Sequence, residues 1–190
     1  MHRLLALAAS ALLTASVSGS EYRAGTGKVV ITPQETMWAG GYAARNKPVS
    51  EKHHDLFARA LVLEDAAGYR LVIVTTDLLG LPRKIADPVA EELMSKFRLR
   101  REQIVLSSTH THSGPVLRDN LVDIYPMGPD GWKQIERYSD WLQPRIVQAV
   151  SEAMAALAPA QLAQGIGQCG FAVNRRENRE RDVSGPQATK

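Results

Sequence analysis

His110 and His112 stand two positions apart in the stretch Ser107-Ser108-Thr109-His110-Thr111-His112-Ser113-Gly114-Pro115. In an extended backbone, residues i and i+2 project to the same side, so both imidazoles can reach one ion or one substrate. Neutral imidazole is a favoured zinc ligand. A catalytic zinc, however, takes about three protein ligands and keeps a position open for water, so two histidines are not a site. On spacing alone the pair reads equally as metal ligands or as a hydrogen-bonded cap on a strand end. The hydroxyls of Thr109, Thr111 and Ser113 are expected to orient the two rings, and Gly114-Pro115 to supply a rigid turn behind them.

Other residues carry weaker chemical readings. Asp77 closes a strand and could either face the histidines or cap the next element. Arg175, after Asn174, offers fixed donors for a carbonyl oxygen or a developing oxyanion, although most arginines in a polar tail are simply solvated. His53 and His54 precede a strand and read as exposed. Gly40-Gly41-Tyr42 reads first as a turn, and second as a place where backbone approaches a ligand closely.

These residues need elements to hold them. Residues 27–32 read as a strand closed by Pro33. Residues 56–64 and 70–76 are β-rich runs joined by Asp65-Ala66-Ala67-Gly68-Tyr69, a hairpin signature. Leu71-Val72-Ile73-Val74 is apolar without alternation, which predicts a central strand covered on both faces. Ile85, Val89, Leu93 and Phe97 recur at near-helical spacing and predict a helix over 83–97. Ile104-Val105-Leu106 then reads as a third buried strand, with the histidine segment leaving its end, where α/β proteins commonly place their chemistry.

Residues 117–132 carry Pro126 and Pro129 and read as a long loop, with Ile124, Tyr125, Met127 and Trp132 as apolar substrate contacts. The longest predicted helix covers 138–157, with Pro144 tolerated near its first turn. Pro159 stops it, and 160–167 reads as a further strand. The fold class is therefore α/β: a mixed sheet core with flanking helices.

Bulk properties set the compartment and partners. The chain has 190 residues, 44% hydrophobic and 23% charged, enough for one sizeable core. His2 and Arg3 precede an apolar run from Leu4 to Leu13 and then small residues, so 1–20 reads as a signal peptide too short to be a transmembrane anchor. Export to a periplasm or the medium follows. Cys169 is the only cysteine, so no internal disulfide forms and stability rests on the core. Without the leader, 22 basic residues face 20 acidic ones, and the basic cluster at 175–181 is interleaved with acids, which argues against nucleic acid. The segment 177–190 is polar, without apolar periodicity, and looks cut rather than finished.

Three stretches in order carry a resemblance. Gly25-Thr26-Gly27-Lys28-Val29-Val30-Ile31-Thr32-Pro33 with Gly40-Gly41-Tyr42, then residues 56–65 and 70–82, then the histidine segment from Leu106 to Pro115 together resemble the opening of the neutral, non-lysosomal ceramidase family. The likeness runs from about Arg23 to Arg176, which makes 21–176 the amino-terminal part of a ceramidase-like, incomplete catalytic domain. The resemblance implies that His110 is a zinc ligand, that His112 lies beside the metal and assists the reaction, and that Arg175 binds the substrate carbonyl. It also implies a zinc-dependent amidohydrolase that splits ceramide, or a related lipid at a membrane or micelle surface, into a fatty acid and a sphingoid base. Arg176 stands where that family has serine after its Asn-Arg pair. The family completes its site with another histidine, a glutamate, a tyrosine and a serine further along, and no histidine follows His112 here. The implied fragment would be inactive alone. Two other readings stay open: a non-catalytic secreted domain that binds a lipid or glycan surface, and a zinc hydrolase of another amide or ester.

Overall fold

The computed structural model describes residues 22–49 and 51–170. The leader 1–20, Arg175 and the tail 177–190 lie outside the described residues. Five strands form one sheet in the order β4-β3-β2-β1-β5, with β1 at Tyr22–Val30, β2 at Phe57–Asp65, β3 at Arg70–Thr76, β4 at Ile104–Ser108 and β5 at Ala158–Ala160. The β3–β4 pair is parallel and the others are antiparallel, so the sheet is mixed. Helix α1 (Arg83–Phe97) makes the β3-to-β4 crossover, and α2 (Pro129–Ala155) returns the chain to β5.

The hairpin between β2 and β3 forms as its residues require. The Asp65 carboxylate accepts hydrogen bonds from the backbone N–H groups of Ala67 and Tyr69, and Gly68 supplies φ +80°. Helix α1 matches its apolar period, burying Ile85, Val89 and Leu93. It ends at Arg98, whose left-handed backbone sends its N–H to the carbonyl of Met94.

Three boundaries differ from the sequence reading. Strand β1 starts at Tyr22, because Gly25 and Gly27 alternate with exposed residues as well as Val29 does and lie against α2. Helix α2 begins at Pro129, nine residues before the predicted start. Proline at a first helical position gives up a donor that has no partner there anyway, so Pro129 opens the helix rather than marking a turn. Pro144 therefore lies inside α2, where it removes a hydrogen bond to the carbonyl of Asp140. The strand predicted over 160–167 is instead Ala158–Ala160, a short edge strand in which Pro159 is tolerated.

One face of the sheet is sealed. Val29, Ala58, Ala60, Val62, Val72 and Val74 meet Ile85, Val89, Leu93, Leu142, Ile146 and Val150 in one apolar cluster. The other face is not: Leu71 and Ile73 are half-buried and Val105 is exposed. The continuous apolar run of β3 thus supplies side chains to both faces, but among the described residues helices cover only one.

On the middle strand of the β1–β2–β3 ladder, buried Glu64 of β2 accepts a hydrogen bond from Arg23 of β1 at 2.7 Å and another from Arg70 of β3 at 2.6 Å. The Arg70 bond first, then that from Arg23, holds the Glu64 carboxyl below its ordinary pKa. A carboxylate depressed in the folded state stabilises the fold above the free-glutamate pKa of about 4.3, and this contribution is lost as pH falls through the folded value. Glu64→Gln is expected to lower stability at pH 7 and to flatten the acid limb of a melting-temperature profile below pH 4. An unchanged acid limb would contradict this account.

Candidate active site

Parallel strands β3 and β4 end side by side, and the loops that leave their carboxyl ends meet. Thr109 continues the ladder by donating its N–H to the carbonyl of Thr76 at 2.9 Å. The next residue, His110, has φ +60°, a left-handed conformation that costs a non-glycine residue about 1–2 kcal/mol. A hydrogen bond of 2.7 Å between its Nδ1 and the carbonyl of Leu79, in the loop after β3, fixes the ring. That bond leaves Nε2 as the nitrogen available for a ligand, the arrangement in which metal-binding histidines are usually held.

The rings of His110 and His112 lie edge to face with centroids 5.1 Å apart. The spacing of the pair therefore does place both imidazoles together, although by way of a left-handed turn rather than by extended backbone. His112 is half-buried, and its Nδ1 is buried with no hydrogen-bond partner. Such an atom costs about 1–3 kcal/mol in a native fold.

The glycine loop explains that burial. Gly41 has φ +103°, and a Cβ built on it would lie 2.4 Å from Cγ of His112 and 2.5 Å from its Nδ1. Gly40-Gly41-Tyr42 is thus more than a turn: the close approach is to the second histidine. Tyr42 stands edge-on to the same ring at 4.7 Å. The loop is pinned by hydrogen bonds from Gly40 N–H to the Gly114 carbonyl and from Val116 N–H to the Trp38 carbonyl, around an Ala39–Pro115 bridge. It is also pinned by the Tyr125 hydroxyl, which accepts from Gly41 N–H at 2.8 Å.

Several expectations change at this point. The hydroxyls do not orient the rings: Thr111 Oγ1 accepts from Ser113 N–H and tightens the turn, while the Leu79 carbonyl orients His110. Asp77 turns away from the histidines, its carboxylate accepting from Phe57 N–H at 3.0 Å and Arg59 at 2.7 Å. Tyr125 is buried and braces the glycine loop, and Trp132 stands in the first turn of α2 rather than in a loop. His53 and His54 are exposed, as their sequence position suggests, and line an open groove of about 1170 Å³ that reaches Ser113, Gly114 and Pro115. Arg45 and the Leu79 carbonyl were missed. A backbone carbonyl carries no side-chain signal, and a single arginine in a loop has no spacing to mark it.

The loop that follows is anchored to α2 through Arg118, which bonds Asp140 at 2.6 Å and also reaches Glu136. The Asp140 bond raises the Arg118 pKa against the cost of its desolvation, and Glu136 adds to the rise.

The donor set suits zinc only in part. His110 and His112 supply two imidazoles, but among the described residues no three histidine, cysteine, aspartate or glutamate side chains cluster as a metal site. Any further ligands must come from elsewhere.

Most of the chain is similar to known proteins. The family model for neutral/alkaline non-lysosomal ceramidase, N-terminal, matches residues 22–179. The neutral ceramidase of Pseudomonas aeruginosa is 31% identical over 166 residues, covering 85% of this chain and 24% of that protein. Neutral ceramidase A of Dictyostelium discoideum is 31% identical over 147 residues, covering 75% of this chain and 20% of that one. The crystal structure of the Pseudomonas aeruginosa neutral ceramidase superposes with a TM-score of 0.60 at 30% identity, over 73% of this chain and 22% of that chain. The chain thus spans a quarter or less of the length of these relatives.

Proposed function

Because the chain belongs to the neutral/alkaline non-lysosomal ceramidase family, we propose that it supplies the histidine loop of a zinc-dependent amidohydrolase. That enzyme cleaves the N-acyl bond of ceramide or a related lipid to a fatty acid and a sphingoid base. The observation that carries this reading is the His110–His112 pair, held ring to ring on a strained and braced loop at the carboxyl ends of two parallel strands.

Each residue has a role. His110, oriented through Nδ1 by the Leu79 carbonyl, holds the metal with Nε2. Zinc, when bound, lowers the pKa of its water toward about 7 and polarises the amide carbonyl. His112 moves a proton at Nε2, since its Nδ1 is closed off against Gly41. Arg175, outside the described residues, steadies the carbonyl oxygen as negative charge develops. The remaining ligands this reading requires also lie outside the described residues, so residues 1–190 alone are expected not to hydrolyse ceramide.

The setting is an exported protein. The leader at 1–20 supports passage to the periplasm or medium, and among the described residues no helix is long and apolar enough to cross a membrane. The lipid substrate is met at a membrane or micelle surface.

The test is His112→Ala in a polypeptide that contains this chain and carries the complete ligand set. Release of sphingoid base is expected to fall by about 10²–10⁴ in kcat/KM, the usual worth of a positioned acid–base group, with zinc retained. A loss under tenfold would remove His112 from the reaction.

A further inference from the structure

The glycine loop and the histidine loop are tied by one guanidinium. Arg45 Nη1 donates to the carbonyl of Gly40 and Nη2 to the carbonyl of His112, each at 2.7 Å. The same guanidinium lies over the Tyr42 ring, 5.1 Å from its centroid, and Tyr42 in turn stands edge-on to His112. Arg45 is half-buried on a loop and is not among the residues of the apolar core.

We propose that Arg45 is a positioning residue for His112: its two hydrogen bonds set the distance between the loops, so that the His112 ring is clamped by the Gly41 backbone, the Tyr42 edge and the His110 ring. This rests on the reading that His112 serves the reaction. The chemistry favours arginine in that place. A planar fork with fixed donors reaches two carbonyl oxygens at once, and each bond is charge-assisted. A lysine is a point charge with three rotatable donors on a flexible stem, so it can bond to carbonyls but holds no fixed spacing between two of them. Gly41 completes the clamp, since any Cβ there would occupy the place of the His112 ring.

The clamp matters because His112 Nδ1 has no partner to fix the ring from behind. His110 has the Leu79 carbonyl, whereas His112 has only packing and the loops that carry it. A displacement of about 1 Å at a reacting group costs on the order of 100-fold in rate, so a brace of this kind has work to do at a site of this class.

The experiment uses the 190-residue chain without metal or substrate, and observes the histidine rings by NMR together with thermal unfolding. In the native chain, His112 ring protons are expected to show cross-peaks to the Tyr42 ring and ring-current shifts that separate them from exposed His53 and His54. Arg45→Ala is expected to abolish those cross-peaks and bring the His112 shifts to the values of His53 and His54, with the melting temperature changed by no more than a few degrees. Arg45→Lys should restore them only partly. Added guanidinium should recover the cross-peaks in Arg45→Ala, whereas sodium at equal ionic strength should not. Gly41→Ala, with Arg45 present, should displace the ring as well. Cross-peaks that survive in Arg45→Ala overturn the proposal, and so does global unfolding of that variant, which would assign Arg45 to the fold. The readout needs no turnover: a chain that clamps His112 but is never part of a ceramide hydrolase sinks the functional reading and leaves the clamp standing.

Discussion

Gly27→Ala is expected to destroy cooperative folding of the chain, with a loss of at least about 3 kcal/mol, the upper end of what overpacking a core usually costs. Gly27 lies in β1 under the C-terminal turns of α2, and a Cβ there would meet the Ala149 carbonyl oxygen at 2.0 Å and Ala153 N at 2.9 Å. Both are helix backbone, so no rotamer change relieves the clash. Gly25, two residues earlier on the same face, would place a Cβ 2.0 Å from the Ala153 carbonyl oxygen. The two glycines make a flat track on which α2 rests, and α2 contributes Leu142, Ile146, Val147, Ala149 and Val150 to the core. Lifting the helix would uncover several of these at once, each fully buried aliphatic side chain being worth about 1.5–3 kcal/mol. Thermal unfolding by circular dichroism checks this. Gly68→Ala, at a turn with open space around it, serves as a control for backbone strain without a clash. A sharp Gly27→Ala transition near that of the native chain would show that α2 does not sit as closely as described.

On the proposed reading, His110→Ala in a polypeptide that contains this chain and carries the complete ligand set is expected to reduce ceramide hydrolysis by more than the 10–100-fold that loss of an outer-shell partner of a metal usually costs, because a ligand itself would be removed. The left-handed backbone at His110 allows function and stability to be separated. Glycine adopts φ +60° without the penalty a side chain carries, whereas alanine keeps it. His110→Gly should therefore be more stable than His110→Ala by about 1 kcal/mol while being equally inactive. A position where the substitution that relieves strain also ends activity is one where strain is kept for function. Equal stability of the two variants would mean that the left-handed turn is not strained.

Much of this arrangement is legible in the sequence. The strand leading into Thr109, the helix over Arg83–Phe97 and the Asp65–Tyr69 hairpin follow from apolar period and turn chemistry, which are local signals, although that strand lies at the sheet edge with Val105 exposed rather than buried. The family was legible because three motifs occur in a fixed order. The start of α2 was not: Pro129 and Gly131 look like turn residues until Pro129 is seen as a first helical position. The early start of β1 was hidden because glycines are poor strand formers, and here they are selected by the helix that packs on them. The bracing of the histidines was hidden for a different reason. Leu79 acts through a backbone carbonyl, Gly41 through the absence of a side chain, and Arg45 through a contact 67 residues away in sequence. None of these leaves a periodic or motif-like trace.

The central claim, that His110 belongs to a zinc centre beside which His112 works, is tested most directly by the zinc content of three purified polypeptides that contain this chain with the complete ligand set. The native polypeptide is expected to hold one zinc per chain, His112→Ala to keep it, and His110→Ala to lose it. A native protein without zinc, or a His110→Ala variant that holds as much as the native one, would contradict the account.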